Sequence, residues 1–137
     1  MPSHRERILG VQMYKYNIVG FLHWGYNFYN CQYSYYPIDP YGTTDGDGFV
    51  PAGDTFQVYP GKDGEPVESI RMMVTAHALQ DLRAMQWLET LVGRERVLEL
   101  IDGELSEPVT FKRYPRSAEY LLNLRRRVNE EIVRARG

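Results

Sequence analysis

The predicted fold rests on the stretch IVGFLHWGYNFYN, which spans Ile18 to Asn30. Its first five residues form an apolar run that does not alternate and is too short for a stable isolated helix, which predicts a strand buried on both faces. Such strands belong to parallel sheets covered by helices, and their ligands lie just beyond the carboxyl ends of the strands. The residues in that position are His23, Trp24, Tyr26 and Asn27.

The composition of the chain limits the classes of function that it can have. The chain has 137 residues, the size of one domain, with 16 basic and 18 acidic side chains. This near-neutral balance argues against nucleic acid or an anionic membrane as a partner. Cys31 is the single cysteine, so there is no internal disulfide framework. The first ten residues lack the pattern of a signal peptide, and no apolar stretch approaches the ~20 residues of a membrane span, so the location is left open.

Aromatic residues point to a ligand surface. There are 11 tyrosines against 5 phenylalanines, and most of the tyrosines lie between Tyr14 and Tyr59. A tyrosine offers a flat apolar face and a hydroxyl, which suits a sugar-like or peptide-like ligand, although tyrosines packed around a loop explain the pattern equally well. The face of Trp24 can stack on a sugar ring and the Asn27 amide can orient hydroxyl groups. The alternative is a tryptophan that closes the end of a sheet core.

The remaining elements follow from periodicity and breakers. We predict a first helix over Arg5–Tyr16 with Ser3 as N-cap, the buried strand, and a long loop from Gly25 to Gln57. We predict that the chain is a single partial domain. Residues 4–30 form the helix, the strand and the aromatic corner, residues 31–66 form the loop, and residues 67–137 form a helical part. The other predicted elements are a short extended piece at Phe56–Tyr59, a turn at Pro60–Gly64, and helices over Val67–Val92, Glu95–Ile101 and Ser117 to about Ala135.

The buried strand raises a difficulty, because a strand covered on both faces needs neighbours on both edges and the sequence offers at most one weak candidate. We therefore expect the chain to be part of a larger sheet, completed either by further copies in a homo-oligomer or by a missing N-terminal part. A self-contained, mostly helical domain with a small hairpin is the competing interpretation. A helical interaction module built on the last two helices is a third.

The sequence offers little catalytic chemistry. The three histidines lie in unrelated segments without metal-ligand spacing, and we expect neither a metal nor a cofactor. His77 and Asp81, four residues apart, predict a local helix pair. Cys31 has no evident base for nucleophilic catalysis. Glycoside hydrolysis uses one or two carboxyl groups, but no spacing singles out a pair among the loop acids Asp39, Asp45, Asp47 and Asp54.

Several segments together resemble a known family. They are ILGVQMYKYNIVGFLHWGYNFYN, IDPYGTTDGDG, GDTFQVYPGKDG and ESIRMMVTAHALQDLRAMQWLE. This succession, from about Arg7 to Asp102, resembles the C-terminal part of glycoside hydrolase family 123 and of relatives carrying the domain of unknown function 4091. Its most specific pieces include the corner Trp24 to Asn27 and the motif Ser69-Ile70-Arg71.

The resemblance implies an α/β fold, namely the C-terminal portion of a (β/α)8 barrel with extra C-terminal helices, mostly helical as an isolated chain. It implies a retaining, substrate-assisted β-N-acetylhexosaminidase with a preference for N-acetylgalactosamine. The family's adjacent Asp-Glu pair is absent from this sequence, so the implied chain binds sugar without catalysing alone. The implied substrate-binding residues are Trp24, Tyr26, Asn27 and His23, while Arg71 and Asp81 match the motif in structural roles. Relatives are often secreted or periplasmic.

Overall fold

The computed structural model describes residues 4–137, which form two compact units. We call Phe21–Met73 the aromatic unit, and residues 4–20 together with Val74–Gly137 the helical unit. None of the described helices is long and apolar enough to cross a membrane. The elements are α1 (His4–Lys15), a 3-10 turn (Gln32–Ser34), β1 (Val58–Pro60), β2 (Pro66–Glu68), α2 (Ile70–Val92), α3 (Arg94–Asp102) and α4 (Ala118–Arg136).

The four helices match the periodicity of the sequence. Ser117 caps α4, since its hydroxyl accepts a hydrogen bond from the Tyr120 amide at 3.3 Å. Gly93 adopts a left-handed φ of 86° between α2 and α3, where a side chain would be strained. Ser3, the predicted cap of α1, lies outside the described residues. The structure is a mixed helical fold with a small two-stranded sheet, which agrees in part with the mostly helical chain that we predicted.

The core of the helical unit joins apolar stripes from all four helices. It is built from residues such as Ile8 of α1, Leu88 of α2, Ile101 of α3 and Val128 of α4, which are almost completely buried. At Gly10 the backbone of α1 approaches α2 so closely that a Cβ atom there would lie 2.0 Å from the Ala78 carbonyl oxygen. Glycine at this position therefore sets the separation of the two helices.

Asp81 ties three helices of this unit together. Its buried carboxylate accepts hydrogen bonds from Arg7 of α1 at 2.7 and 3.1 Å and from Arg125 of α4 at 2.9 Å. The predicted local pair of His77 and Asp81 is therefore wrong. His77 lies on the exposed side of α2, and two guanidinium groups satisfy a buried carboxylate better than an exposed imidazole would.

The predicted buried strand at Ile18 to Trp24 is absent from the structure. No described strand lies beside this segment, and much of it faces solvent: Val19 is fully exposed and Leu22 is 82% exposed, whereas Ile18 is partly buried against the helical core. A strand is held by hydrogen bonds to neighbouring strands, so an apolar run without a neighbour cannot form one. The barrel-like arrangement of strands is thus not observed among residues 4–137.

The sheet that does form is a hairpin in the aromatic unit. β1 and β2 pair antiparallel, with Tyr59 opposite Val67. β1 corresponds to the predicted extended piece, and the turn predicted at Pro60–Gly64 connects the strands. The predicted helix start at Val67 is too early, because Val67 belongs to β2 and α2 begins only after Ser69, whose hydroxyl accepts from the Met72 amide at 3.2 Å.

Candidate functional site

The aromatic corner Trp24 to Asn27 is held by backbone pairing with the segment that leads into β1. The Gln57 amide donates to the Tyr26 carbonyl at 2.8 Å, and the Phe28 amide donates to the Thr55 carbonyl at 3.1 Å. Gly25 makes this approach possible, because its φ is 74° and a Cβ atom there would lie 2.9 Å from the Thr55 methyl carbon. The corner is thus fixed in the aromatic unit without the predicted strand.

Trp24 presents a supported but accessible ring. Phe28 packs against it at a centroid distance of 5.1 Å and Phe49 meets it edge-on at 5.5 Å, the arrangement that aromatic quadrupoles favour. The residue nevertheless remains 51% exposed. A ring that is held from two sides and open on the rest is suited to stacking on a flat apolar ligand face.

Tyr26 and Asn27 flank the tryptophan with polar groups. The Tyr26 hydroxyl donates to the sulfur of Met72 at 3.4 Å, a weak interaction that a better acceptor can replace, and the residue is 46% exposed. The Asn27 side chain is exposed, and within residues 4–137 it has no hydrogen-bond partner. Its amide is therefore free to offer one acceptor and two donor positions to a ligand.

His23 has a different environment from the other three predicted residues. Its Nε2 lies 2.9 Å from the Asp54 carbonyl oxygen and 3.3 Å from the Gln57 side-chain nitrogen. A carbonyl oxygen only accepts, so Nε2 bonds Asp54 when it carries the proton, whereas an unprotonated Nε2 accepts from the Gln57 amide. In either tautomer this nitrogen is engaged in holding the loop. The imidazole is half-buried at the edge of the corner.

Arg71 organises the segment on which the corner rests. Its Nε and Nη2 donate to the Phe56 carbonyl at 3.0 and 2.7 Å, and Nη2 also donates to the Tyr59 hydroxyl at 2.8 Å. Gly53 lies against the same guanidinium, where a Cβ atom would come within 2.8 Å of Nη1. The structural role that we expected for Arg71 agrees with these contacts.

Two acids of the long loop, Asp39 and Asp47, are engaged locally. An Asp39 carboxylate oxygen accepts from the Tyr41 amide at 3.0 Å, and Asp47 accepts a hydrogen bond from the Tyr36 hydroxyl. That bond, together with the charge of Asp47, raises the pKa of Tyr36 to about 12. Among the described residues no group of three or more acidic, histidine or cysteine side chains could hold a metal ion. The carboxylates of Asp39 and Asp47 are therefore engaged within the loop.

The sequence pointed to Trp24 as a candidate binding residue, but it did not reveal which residues pack against the corner. Phe28 is near in sequence and could have been inferred from the aromatic cluster. Phe49 lies 25 residues further along, in a loop without periodicity, and no local signal connects it to the corner. The same holds for Thr55, whose buried side chain packs against Gly25.

A comparison with models of known families finds a match that covers the aromatic corner. Residues 1–88 match the model of the Glycoside hydrolase 123 catalytic domain, which covers the corner, the loop, the hairpin and most of α2. The chain therefore belongs to this glycoside hydrolase family, and the family implies interaction with carbohydrate. α3 and α4 lie outside the matched residues. No curated protein matches the chain.

Proposed function

We propose that this chain supplies the sugar-binding corner of a glycoside hydrolase catalytic domain, as its C-terminal segment. Trp24 is the stacking platform, Tyr26 and Asn27 contact sugar hydroxyl groups, and His23 completes the wall of the site. The observation that carries the proposal is the half-exposed Trp24 ring held between Phe28 and Phe49. A sugar presents an apolar face of C–H groups to such a ring and hydroxyl groups around its rim.

The substrate that we propose for the complete domain is a β-linked N-acetylhexosaminide, preferably of N-acetylgalactosamine. The reaction is substrate-assisted and retains the anomeric configuration, with the acetamido group as nucleophile. We propose that this chain does not catalyse it alone. Support comes from the sequence, which contains no adjacent Asp-Glu pair, and from Asp39 and Asp47, whose carboxylates are engaged in the loop.

Calorimetric titration with N-acetylgalactosamine, run beside a hydrolysis assay on a chromogenic β-N-acetylgalactosaminide, tests both parts. We expect saturable binding that is lost in Trp24→Ala, and no hydrolysis above background. The matched control is Trp87→Ala, since Trp87 is similarly exposed, at 48%, but belongs to the helical unit. Hydrolysis that disappears in Trp24→Ala would refute the inactivity of the chain, and equal loss of binding in both variants would refute the role of the corner.

A second candidate is a non-enzymatic carbohydrate-binding or assembly module. The observation that favours it is the hydrogen-bond frame of the aromatic unit, in which Arg71 and the Tyr26–Gln57 pairing fix the corner locally. Titration of the chain after addition of the remaining part of a family 123 domain separates the candidates. Restored hydrolysis supports the catalytic role, whereas unchanged binding without hydrolysis supports the module.

A further inference from the structure

Helix α4 carries a second apolar stripe that the core does not use. Leu121, Leu124, Val128 and Ile132 are buried against the other helices. On another side of the helix, Leu122 is 57% exposed and Val133 is 70% exposed. These two residues are eleven positions apart, about three turns, so they lie on the same side of α4.

A shallow surface depression connects the two residues. Arg126, Asn129 and Glu130 line it together with Leu122 and Val133. Arg126 and Glu130 form an exposed ion pair at 2.9 Å along the helix. We call this side of α4, from Glu119 to Arg134, the outer face of α4.

The charges of the outer face alternate in a way that makes it complementary to itself. Along one flank the order is Glu119, Arg126, Glu130 and Arg134, all of them exposed or partly exposed. A second copy aligned antiparallel places Arg126 beside Glu130 of the other copy and Glu119 beside Arg134. In a symmetric parallel pair the same flank of the two copies lies on opposite sides of the interface, so these opposite charges would not meet.

An antiparallel register within about two residues of these charge pairings also pairs the apolar residues. A two-fold axis midway between Leu122 and Val133 places Leu122 of each copy opposite Val133 of the other. We propose that the outer face of α4 is the interface of a symmetric, antiparallel dimer of this chain. It lies outside the residues that match the glycoside hydrolase family, so the inference is independent of the proposed sugar site.

The dimer buries one face of one helix per copy, which is below the ~1,200 Å² typical of stable complexes. We therefore expect reversible association with a Kd in the range of roughly 10 µM to 1 mM. Sedimentation velocity and light scattering of the full chain over that range of concentration should show a monomer–dimer equilibrium.

Charge exchange provides the decisive test. R126E places two acidic residues beside each other across the interface and should weaken the dimer at least ~10-fold, whereas R126E/E130R restores opposite charges and should return the Kd to near the original value. The control is R113E, which reverses the arginine of another exposed ion pair, with Glu107, and should leave the dimer unchanged. Thermal unfolding of each variant checks that the fold persists.

Three results would overturn the proposal: a chain that stays monomeric at every concentration, a dimer that R126E does not weaken, or a weakened dimer that the double exchange does not restore. The second result would place self-association on another surface, such as the exposed segment around Val19 and Leu22.

Discussion

Arg71 holds the Phe56 carbonyl oxygen with two hydrogen bonds, from Nε at 3.0 Å and from Nη2 at 2.7 Å. Phe56 is completely buried in the aromatic unit and forms a bridge with Asn27 of the corner. The guanidinium at the start of α2 thus fixes the segment before β1, on which the candidate sugar site rests.

Replacing Arg71 by lysine should loosen that segment. A lysine carries one point charge and cannot reproduce the planar fork that reaches both Phe56 and Tyr59. We expect a loss of about 1–3 kcal/mol in the free energy of unfolding and faster hydrogen exchange at the amides of residues 55–58. Chemical denaturation and exchange mass spectrometry measure the two effects. Arg83→Lys on the exposed side of α2 is the control, and equal effects of both changes would contradict the role of Arg71.

Gly10→Ala should destabilise the helical unit. The added methyl group meets the Ala78 carbonyl oxygen at 2.0 Å, and backbone cannot move aside as a flexible side chain can. We expect a loss of at least about 2 kcal/mol in urea denaturation. Gly20→Ala is the matched control, since a Cβ atom there meets no atom within 4 Å. A fully stable Gly10→Ala variant would show that α1 and α2 are further apart.

Asp81→Asn should also destabilise the helical unit. The change leaves Arg7 and Arg125 facing a neutral amide in a partly buried site. We expect the free energy of unfolding to fall by about 1–3 kcal/mol. Asp63→Asn, an exposed change in the hairpin turn, should have no measurable effect on the thermal unfolding midpoint. Comparable midpoints for the two variants would contradict the structural role of Asp81.

The Tyr36–Asp47 hydrogen bond predicts a local titration. The neutral phenol donates to the carboxylate, so deprotonation breaks the bond and adds a second negative charge, which keeps the pKa of Tyr36 near 12 instead of 10.0. The contribution to stability is therefore present below pH 10 and is lost as the pH rises towards 12. Nuclear magnetic resonance of the labelled Tyr36 ring should show the pKa falling towards 10.0 in Asp47→Asn. The titration should not change in Asp45→Asn, and a pKa that is insensitive to Asp47 would refute the hydrogen bond.

Much of the helical unit could be predicted because each helix carries its own signals. Periodic apolar residues such as Leu121 and Val128 specify a buried face, and Ser117 specifies a start. These signals are local, so the bounds of α1, α3 and α4 agree with the prediction to within one or two residues.

The strand prediction failed for a physical reason. An apolar run such as Ile18–Leu22 indicates that the residues favour burial, but a strand exists only when other segments offer hydrogen bonds at its edges. The second strand of the hairpin, β2, was not predicted although it forms. It begins at a proline and is exposed, so no pattern in the sequence marks it. Pairing with β1 alone creates it.

The residues proposed to bind sugar could be predicted from the sequence, whereas the residues that hold them in place could not. Trp24, Tyr26 and Asn27 are adjacent in sequence and stand at the end of an apolar run. The contacts of Phe49 with Trp24 and of Arg71 with Phe56 bridge distant positions through an aperiodic loop. Only the folded loop brings these residues together.

The most direct test of the sugar-binding account uses the two tryptophans as internal reporters. The chain contains only Trp24 and Trp87, so a nitrogen-15 spectrum shows two indole N–H signals, which Trp87→Ala assigns. Titration with N-acetylgalactosamine should shift the Trp24 signal saturably and leave the Trp87 signal in place. A Trp24 signal that does not move at saturating sugar, or a shift confined to Trp87, would contradict the account.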